Sequence, residues 1–211
     1  MTSATPRRTK RTEQLVARRA ALLEAAERVA LERGLAAARV ADVAAATDVS
    51  PGLVHYHFSS KDDLFVEMLR AAADRELTSV QRIADGPGSA LSKLDRVLRE
   101  FVPTRSDDQS WVLWIDAWAA ALRDEALRKI ITELDNAWID VVEQVLRDGA
   151  ASGEFRCPDP SGSALRLSAL IDGLGIRMSL QDRQSRRAAL QHARLTAARE
   201  IGVDVEDFPK R

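Results

Sequence analysis

Cysteine is nearly absent: Cys157 stands alone among 211 residues, which rules out an internal disulfide and any zinc site built from several thiolates. Histidine is scarce as well. Of the three, His55 and His57 are two apart and point to different sides of a helix, so they do not form the i, i+4 pair of a helical metal site. No metal and no cofactor are expected. Aromatic residues make up 5% of the chain, with one tyrosine, and no apolar run approaches the roughly 20 residues of a membrane span. The first twelve residues have no apolar core behind their basic positions and do not read as a secretion signal. A cytoplasmic protein without a membrane partner is expected. There is no nucleophile elbow, phosphate loop or cysteine paired with a base, and Gly173-Leu174-Gly175 lies inside an apolar helical pattern. An enzyme is not expected.

What is present is the vocabulary of helices. Ala, Leu, Arg and Glu dominate, strand patterns are missing, and helix punctuation recurs along the chain. The expected fold is all-α with about nine helices. A flexible basic arm is expected over 1–12 and the first helix over 13–33, closed by Gly34 and carrying Leu15, Leu22, Ala26, Val29 and Ala30 inward. Two short helices follow. Ser60 with Asp63 caps a fourth helix reaching about Ala84, Gly86-Pro87-Gly88 breaks the chain, and Pro103 closes a fifth helix from Ala90. The sixth to ninth helices are expected over 111–123, 125–151, 162–180 and 185–201, with an irregular tail from Gly202. Cys157 falls in a loop between the seventh and eighth and reads as incidental.

Charge is unevenly distributed. Residues 1–19 hold six basic side chains against Glu13 alone, a local charge of +5, whereas the whole chain is −1. A solvated tail and a nucleic-acid arm are both compatible with that asymmetry. Residues 40–64 favour the arm. There V-A-D-V-A-A-A-T is followed by the turn D-V-S, a short helix P-G-L-V-H-Y-H-F, and S-S-K-D-D-L at the start of a longer helix. Ala41, Ala44, Ala45 and Ala46 let a second helix cross closely, with Val40, Val43, Ala44 and Val49 as the shared core. Asp48 tolerates the left-handed turn, Ser50 is a natural N-cap and Pro51 a natural first residue. The second helix is too short and too polar for a core, which leaves the major groove as its use.

The stretch from Leu22 to Leu69 resembles the N-terminal domain of TetR-type bacterial transcriptional regulators, and W-V-L-W-I-D-A-W with L-I-D-G-L-G-I-R resembles the choline-responsive BetI-type branch. The resemblance implies a three-helix DNA-binding domain, here 13–60, joined to a helical effector-binding and dimerisation domain, here 61–211. Two positions depart from the pattern: Arg39 where the family often has Thr, and His55 where it often has an aromatic residue. A ligand-released repressor is implied. An activator of the same family and a sequence-independent architectural protein are the alternatives, the second disfavoured by the acidic body.

Family resemblance and helix physics assign the same DNA-facing roles. Pro51, Gly52, Leu53 and His55 are placed to meet base edges, Tyr56 and His57 to meet phosphates, and Lys61 to bring charge to the start of the fourth helix. Arg39 and Thr47 would clamp the backbone, and Arg7, Arg8, Lys10 and Arg11 would follow the minor groove or phosphates. Phe58 reads as core. One reading head has a small footprint, so a homodimer on palindromic double-stranded operator DNA is expected. Leu167, Leu170, Ile171, Leu174, Leu190, Ala193 and Ala197 are the candidate interface, with an intrachain core as the other reading, and Gly173 and Gly175 would allow close helix approach.

Trp111, Trp114 and Trp118 recur on one helical face with Ile115 and Leu122, and Trp138 completes the tryptophans. Core packing is one reading. The other is an effector pocket formed by these tryptophans with Asp116, Asp172 and Met178, taking a cationic or aromatic small molecule.

Overall fold

A computed structural model describes residues 6–180 and 185–209, with side chains described from residue 12 onward. Among these residues all regular structure is helical: α1 (Pro6–Arg33), α2 (Val40–Ala46), α3 (Pro51–His57), α4 (Lys61–Asp85), α5 (Ala90–Phe101), α6 (Gln109–Ala121), α7 (Glu125–Ala151), α8 (Pro160–Leu180), α9 (Arg186–Ile201) and a 3-10 turn at Val205–Asp207. No helix in this set is long and apolar enough to cross a membrane. The chain divides into two compact units, Met1–Ala73 and Asp74–Arg211. The division therefore falls inside α4 rather than at residue 60. The first turns of α4 carry Leu64, Phe65, Met68 and Leu69, all buried, and a three-helix domain without them would lack part of its core.

In the first unit, Leu22, Ala25, Ala26 and Val29 of α1 are buried together with Val43 and Ala44 of α2, Val54 of α3 and Phe58. Small residues on both α1 and α2 permit the close crossing that such a short assembly needs. Val40 and Val49 are only half-buried, and Leu15 is exposed. Helix α1 starts at Pro6, seven residues before the expected Glu13. Proline is well suited to a first turn, and no glycine or further proline interrupts the run to Arg33. The side chains of Arg7, Arg8, Lys10 and Arg11 lie outside the described residues.

The second unit buries Leu94, Val97 and Leu98 of α5, Val142, Val145 and Leu146 of α7, Leu167, Ile171 and Met178 of α8, and Ala193, Ala197 and Ile201 of α9. Asp95, only 2% exposed, sits between Arg99 (2.8 Å) and Arg194 (2.6 Å), so its buried charge has two partners. Arg194 also donates to the Pro209 carbonyl at 2.9 Å, and Phe208 is buried. The segment after Gly202 is thus irregular apart from the 3-10 turn, as expected, yet docked on the core. Cys157 is buried too, its Sγ 3.7 Å from Ser163 Oγ.

Candidate DNA-reading head and effector cavity

The reading head is built by punctuation. Thr47 closes α2, Asp48 adopts φ 52°, and the Ser50 hydroxyl accepts the Leu53 N–H at 3.3 Å with Pro51 as the first residue of α3. Aspartate is among the few residues that occupy the left-handed region at modest cost. At the start of α4, Asp63 N–H donates to Ser60 Oγ (3.0 Å) while the Asp63 carboxylate accepts from Ser59 N–H (2.8 Å), a reciprocal cap. On α3, Val54 is buried, Leu53 and His57 are half-buried, and Pro51, Gly52, His55 and Tyr56 face outward. Tyr56 is 67% exposed. Its ring meets that of the adjacent His57 edge-on at 5.2 Å between centroids and otherwise stands largely in solvent.

Three expected contacts sit differently. His57 Nε2 is buried without a hydrogen-bond partner among the described residues, so that nitrogen does not face a phosphate. The Thr47 hydroxyl donates back to the Val43 carbonyl at 2.9 Å, the ordinary solution at a helix end, rather than standing ready for a backbone. Lys61 Nζ donates to the Ala36 carbonyl at 3.1 Å, which ties α4 to the α1–α2 loop while two ammonium hydrogens remain. Arg39 is exposed, its backbone N–H donating to Asp42 Oδ2 at 3.1 Å.

The second unit contains a cavity of about 520 Å³ lined by all four tryptophans, with residues of α4, α5, α6, α7 and α8 and of the loop before α6 in its wall. Trp111 and Trp118 meet edge-on at 6.1 Å between centroids, and Phe101 meets Trp138 likewise at 4.5 Å. Three indole N–H groups already have acceptors: Phe101 O for Trp111 (3.2 Å), Glu76 for Trp114 (3.1 Å) and Asp135 for Trp118 (3.3 Å). A guest therefore meets ring surfaces more than indole donors. Gly175 makes the wall possible, because a Cβ there would lie 2.1 Å from the Trp111 ring.

Five carboxylates line this cavity against one arginine, Arg75. Glu76 accepts from Ser110 Oγ and Trp114, and burial raises its pKa against those bonds. Asp108 caps α6, accepting from Ser110 N–H (3.2 Å) and Thr104 N–H (2.9 Å). Burial raises Asp135 despite its bond from Trp118. Asp172 makes no hydrogen bond or ion pair among the described residues, and burial, with the nearby Asp135 charge adding to it, lifts its pKa to about 6. An uncompensated carboxylate beside a second one, among aromatic faces, favours a cation.

The periodicity of α8 explains which expectations hold. Ser168 and Asp172 line the cavity and Gly175 lies against the Trp111 ring; Leu167, Ile171, Leu174 and Met178 are buried in the chain's own core; Leu165, Ala169, Gly173, Ile176 and Leu180 point outward. Met178 is therefore core and does not line the cavity. Asp116, two residues from both Trp114 and Trp118, turns to another side of α6 and is not in the wall, and Leu122 is exposed. The proposed interface set Leu167, Ile171, Leu174, Leu190, Ala193 and Ala197 is interior, with Leu170 half-buried. Gly175 receives an indole of its own chain instead of a second helix. Sequence reasoning missed Glu76, Phe101, Asp135 and Ser168. Asp135 precedes Trp138 by three residues on α7, a spacing that puts both on one face and was the available signal.

Comparison with known proteins agrees with this arrangement. Residues 22–68 match the model of bacterial regulatory proteins of the tetR family, and residues 90–202 match that of the C-terminal domain of BetI-type transcriptional repressors. The HTH-type transcriptional regulator BetI of Rhizobium meliloti is 29% identical over 171 residues, 78% of this chain and 79% of that protein. The HTH-type transcriptional repressor KstR2 of Mycolicibacterium smegmatis is 29% identical over 150 residues, 69% and 71% of the two chains. A transcriptional regulator from Saccharomonospora viridis, crystallised with choline, superposes with a TM-score of 0.79 at 29% identity, covering 88% of this chain and 98% of that one. With an outward-facing reading helix in one unit and a ligand-sized cavity in a BetI-type second domain, the chain belongs to the TetR family of DNA-binding transcriptional regulators, which are not enzymes.

Proposed function

We propose that this protein is a homodimeric repressor that occupies a palindromic operator and leaves it when an organic cation enters the tryptophan cavity. The observation that carries the reading is Asp172, without a partner among the described residues beside Asp135 in a cavity walled by four indoles. A quaternary or protonated ammonium would meet ring faces and neutralise the pair at once. The choline complex of the Saccharomonospora viridis regulator supports the same chemistry. A cavity of about 520 Å³ is within the range for drug-sized ligands, so a bulkier cation than choline also fits.

DNA contact falls to the exposed side chains of α3, Tyr56 and His55 with Pro51 and Gly52, supported by Lys61, Arg39 and the basic residues of α1. Dimerisation falls to the outward face of α8, where Leu165 (57%), Ile176 (37%) and Leu180 (76%) stand exposed. Helix α4 runs unbroken from Lys61 to Asp85 and contributes Glu76 to the cavity wall. An effector preferring the released state about a hundredfold supplies about 2.7 kcal/mol per site, enough to empty an operator.

The test uses an operator selected from random duplexes and follows its release by fluorescence anisotropy. Choline is compared with its neutral isostere 3,3-dimethylbutan-1-ol. Release by choline at concentrations at least tenfold lower supports the cation reading, and equal potency of the two sinks it.

A further inference from the structure

Ser168 lies on the cavity face of α8, one turn before Asp172. It is 8% exposed, and its hydroxyl is buried with no hydrogen-bond partner among the described residues. A helical serine ordinarily returns its proton to the carbonyl four residues back. Ser179 of the same helix does so, donating to the Gly175 carbonyl at 3.0 Å. Ser168 does not use that option. A buried hydroxyl left without a partner opposes folding, and such groups in native proteins have a reason to persist.

Residues four apart on a helix stand about 6 Å apart along its axis. A cation held at Asp172 therefore places an atom two carbons from its nitrogen within reach of Ser168. We propose that Ser168 is a specificity-determining residue: its hydroxyl bonds an oxygen carried by the cationic effector, so that the site selects cations bearing a hydroxyl or ether oxygen over purely alkyl ones. This inference rests on the cation reading of the cavity. Asp172 and the indoles set affinity for the ammonium head, and Ser168 adds discrimination without adding charge.

The experiment is a titration calorimetry cycle on the full chain, wild type and Ser168→Ala, with choline and with propyltrimethylammonium, which replaces the choline hydroxyl by a methyl group. In the expected result the wild type favours choline, and Ser168→Ala weakens choline binding about five- to tenfold while the alkyl cation changes by less than about twofold. The alkyl cation also reports that the variant is folded. Because Ser168→Ala removes an unpartnered polar group, its melting temperature should hold or rise, whereas loss of a structural hydrogen bond would lower it. Equal weakening of both ligands, or no change in either, overturns the role of Ser168 and leaves the cation reading intact. If neither ligand binds the wild type while the protein is folded, both readings fall together.

Discussion

Replacing Asp172 by asparagine should make the protein more stable and less responsive, with a pH signature that follows from the cavity. Burial and the Asp135 charge raise the Asp172 pKa from 3.8 to about 6. The folded state thus holds this proton more tightly than the unfolded chain does, and the ionised carboxylate opposes folding. The opposition is complete above about pH 6, recedes as the pH falls from 6 towards 3.8, and is gone below that. At 1.36 kcal/mol for each tenfold change, its full size is about 3 kcal/mol. Asparagine keeps the shape and never ionises. Urea unfolding should therefore show Asp172→Asn more stable than wild type by about 2–3 kcal/mol at pH 7.5 and by only about 1 kcal/mol at pH 4.5. Choline-triggered operator release should be lost in the same variant. A variant that is less stable at pH 7.5, or whose gain is the same at both pH values, would refute the claim that Asp172 is held ionised at a cost to the fold.

The other expectations probe different parts of the molecule. Tyr56→Ala should weaken operator binding roughly tenfold in anisotropy titrations and leave the melting temperature within a degree or so, because the side chain is 67% exposed and packs little. Gly175→Ala places a methyl group 2.1 Å from the Trp111 ring, so it should cost about 1–3 kcal/mol and shift tryptophan emission as the indole is displaced. Ile176→Glu with Leu165→Glu should yield a monomer in sedimentation velocity while near-native helicity persists. Leu167→Ala, fully buried in the core, should instead lower stability by about 2–5 kcal/mol.

Local chemistry was legible in the sequence wherever a single residue forces a conformation. Gly34 at φ 78°, Asp48 at φ 52°, the Ser50 cap and the Ser60–Asp63 cap all lie where spacing alone places them. The boundaries of α7 agree for the same reason, since Asp124 caps its start with a 2.9 Å bond to Leu127 N–H. What spacing does not convey is which of several apolar faces turns inward. Helix α8 is apolar nearly all round, so the residues that pack within the chain and those left outside look alike in sequence. The tryptophan stripe has the complementary difficulty: its partners Glu76 and Asp135 come from α4 and α7, and only packing brings them to α6. Asp116, adjacent in sequence, turns away. Nearness along the chain was a poor guide to nearness in the cavity.

Helix α8 then has three separate tasks at a spacing of 3.6 residues. One face supplies Ser168, Asp172 and the Gly175 seat for Trp111, a second packs Leu167, Ile171 and Met178 into the core, and a third leaves Leu165, Ala169, Gly173, Ile176 and Leu180 outside. Protein interiors are packed as densely as organic crystals, so a helix in this position has little freedom to absorb a displacement locally. A guest that presses on the cavity face must either be accommodated by the empty volume or move the helix as a body. Any movement of the body carries the outward face with it. If that face is the seam between two copies, the packing of one copy's second unit against the other's changes without any residue of α3 being touched. On the proposed reading, an effector supplies Ser168 and Asp172 with the partners they lack among the described residues. Differential affinity of that kind is what a ligand needs to shift an equilibrium between operator-bound and released states.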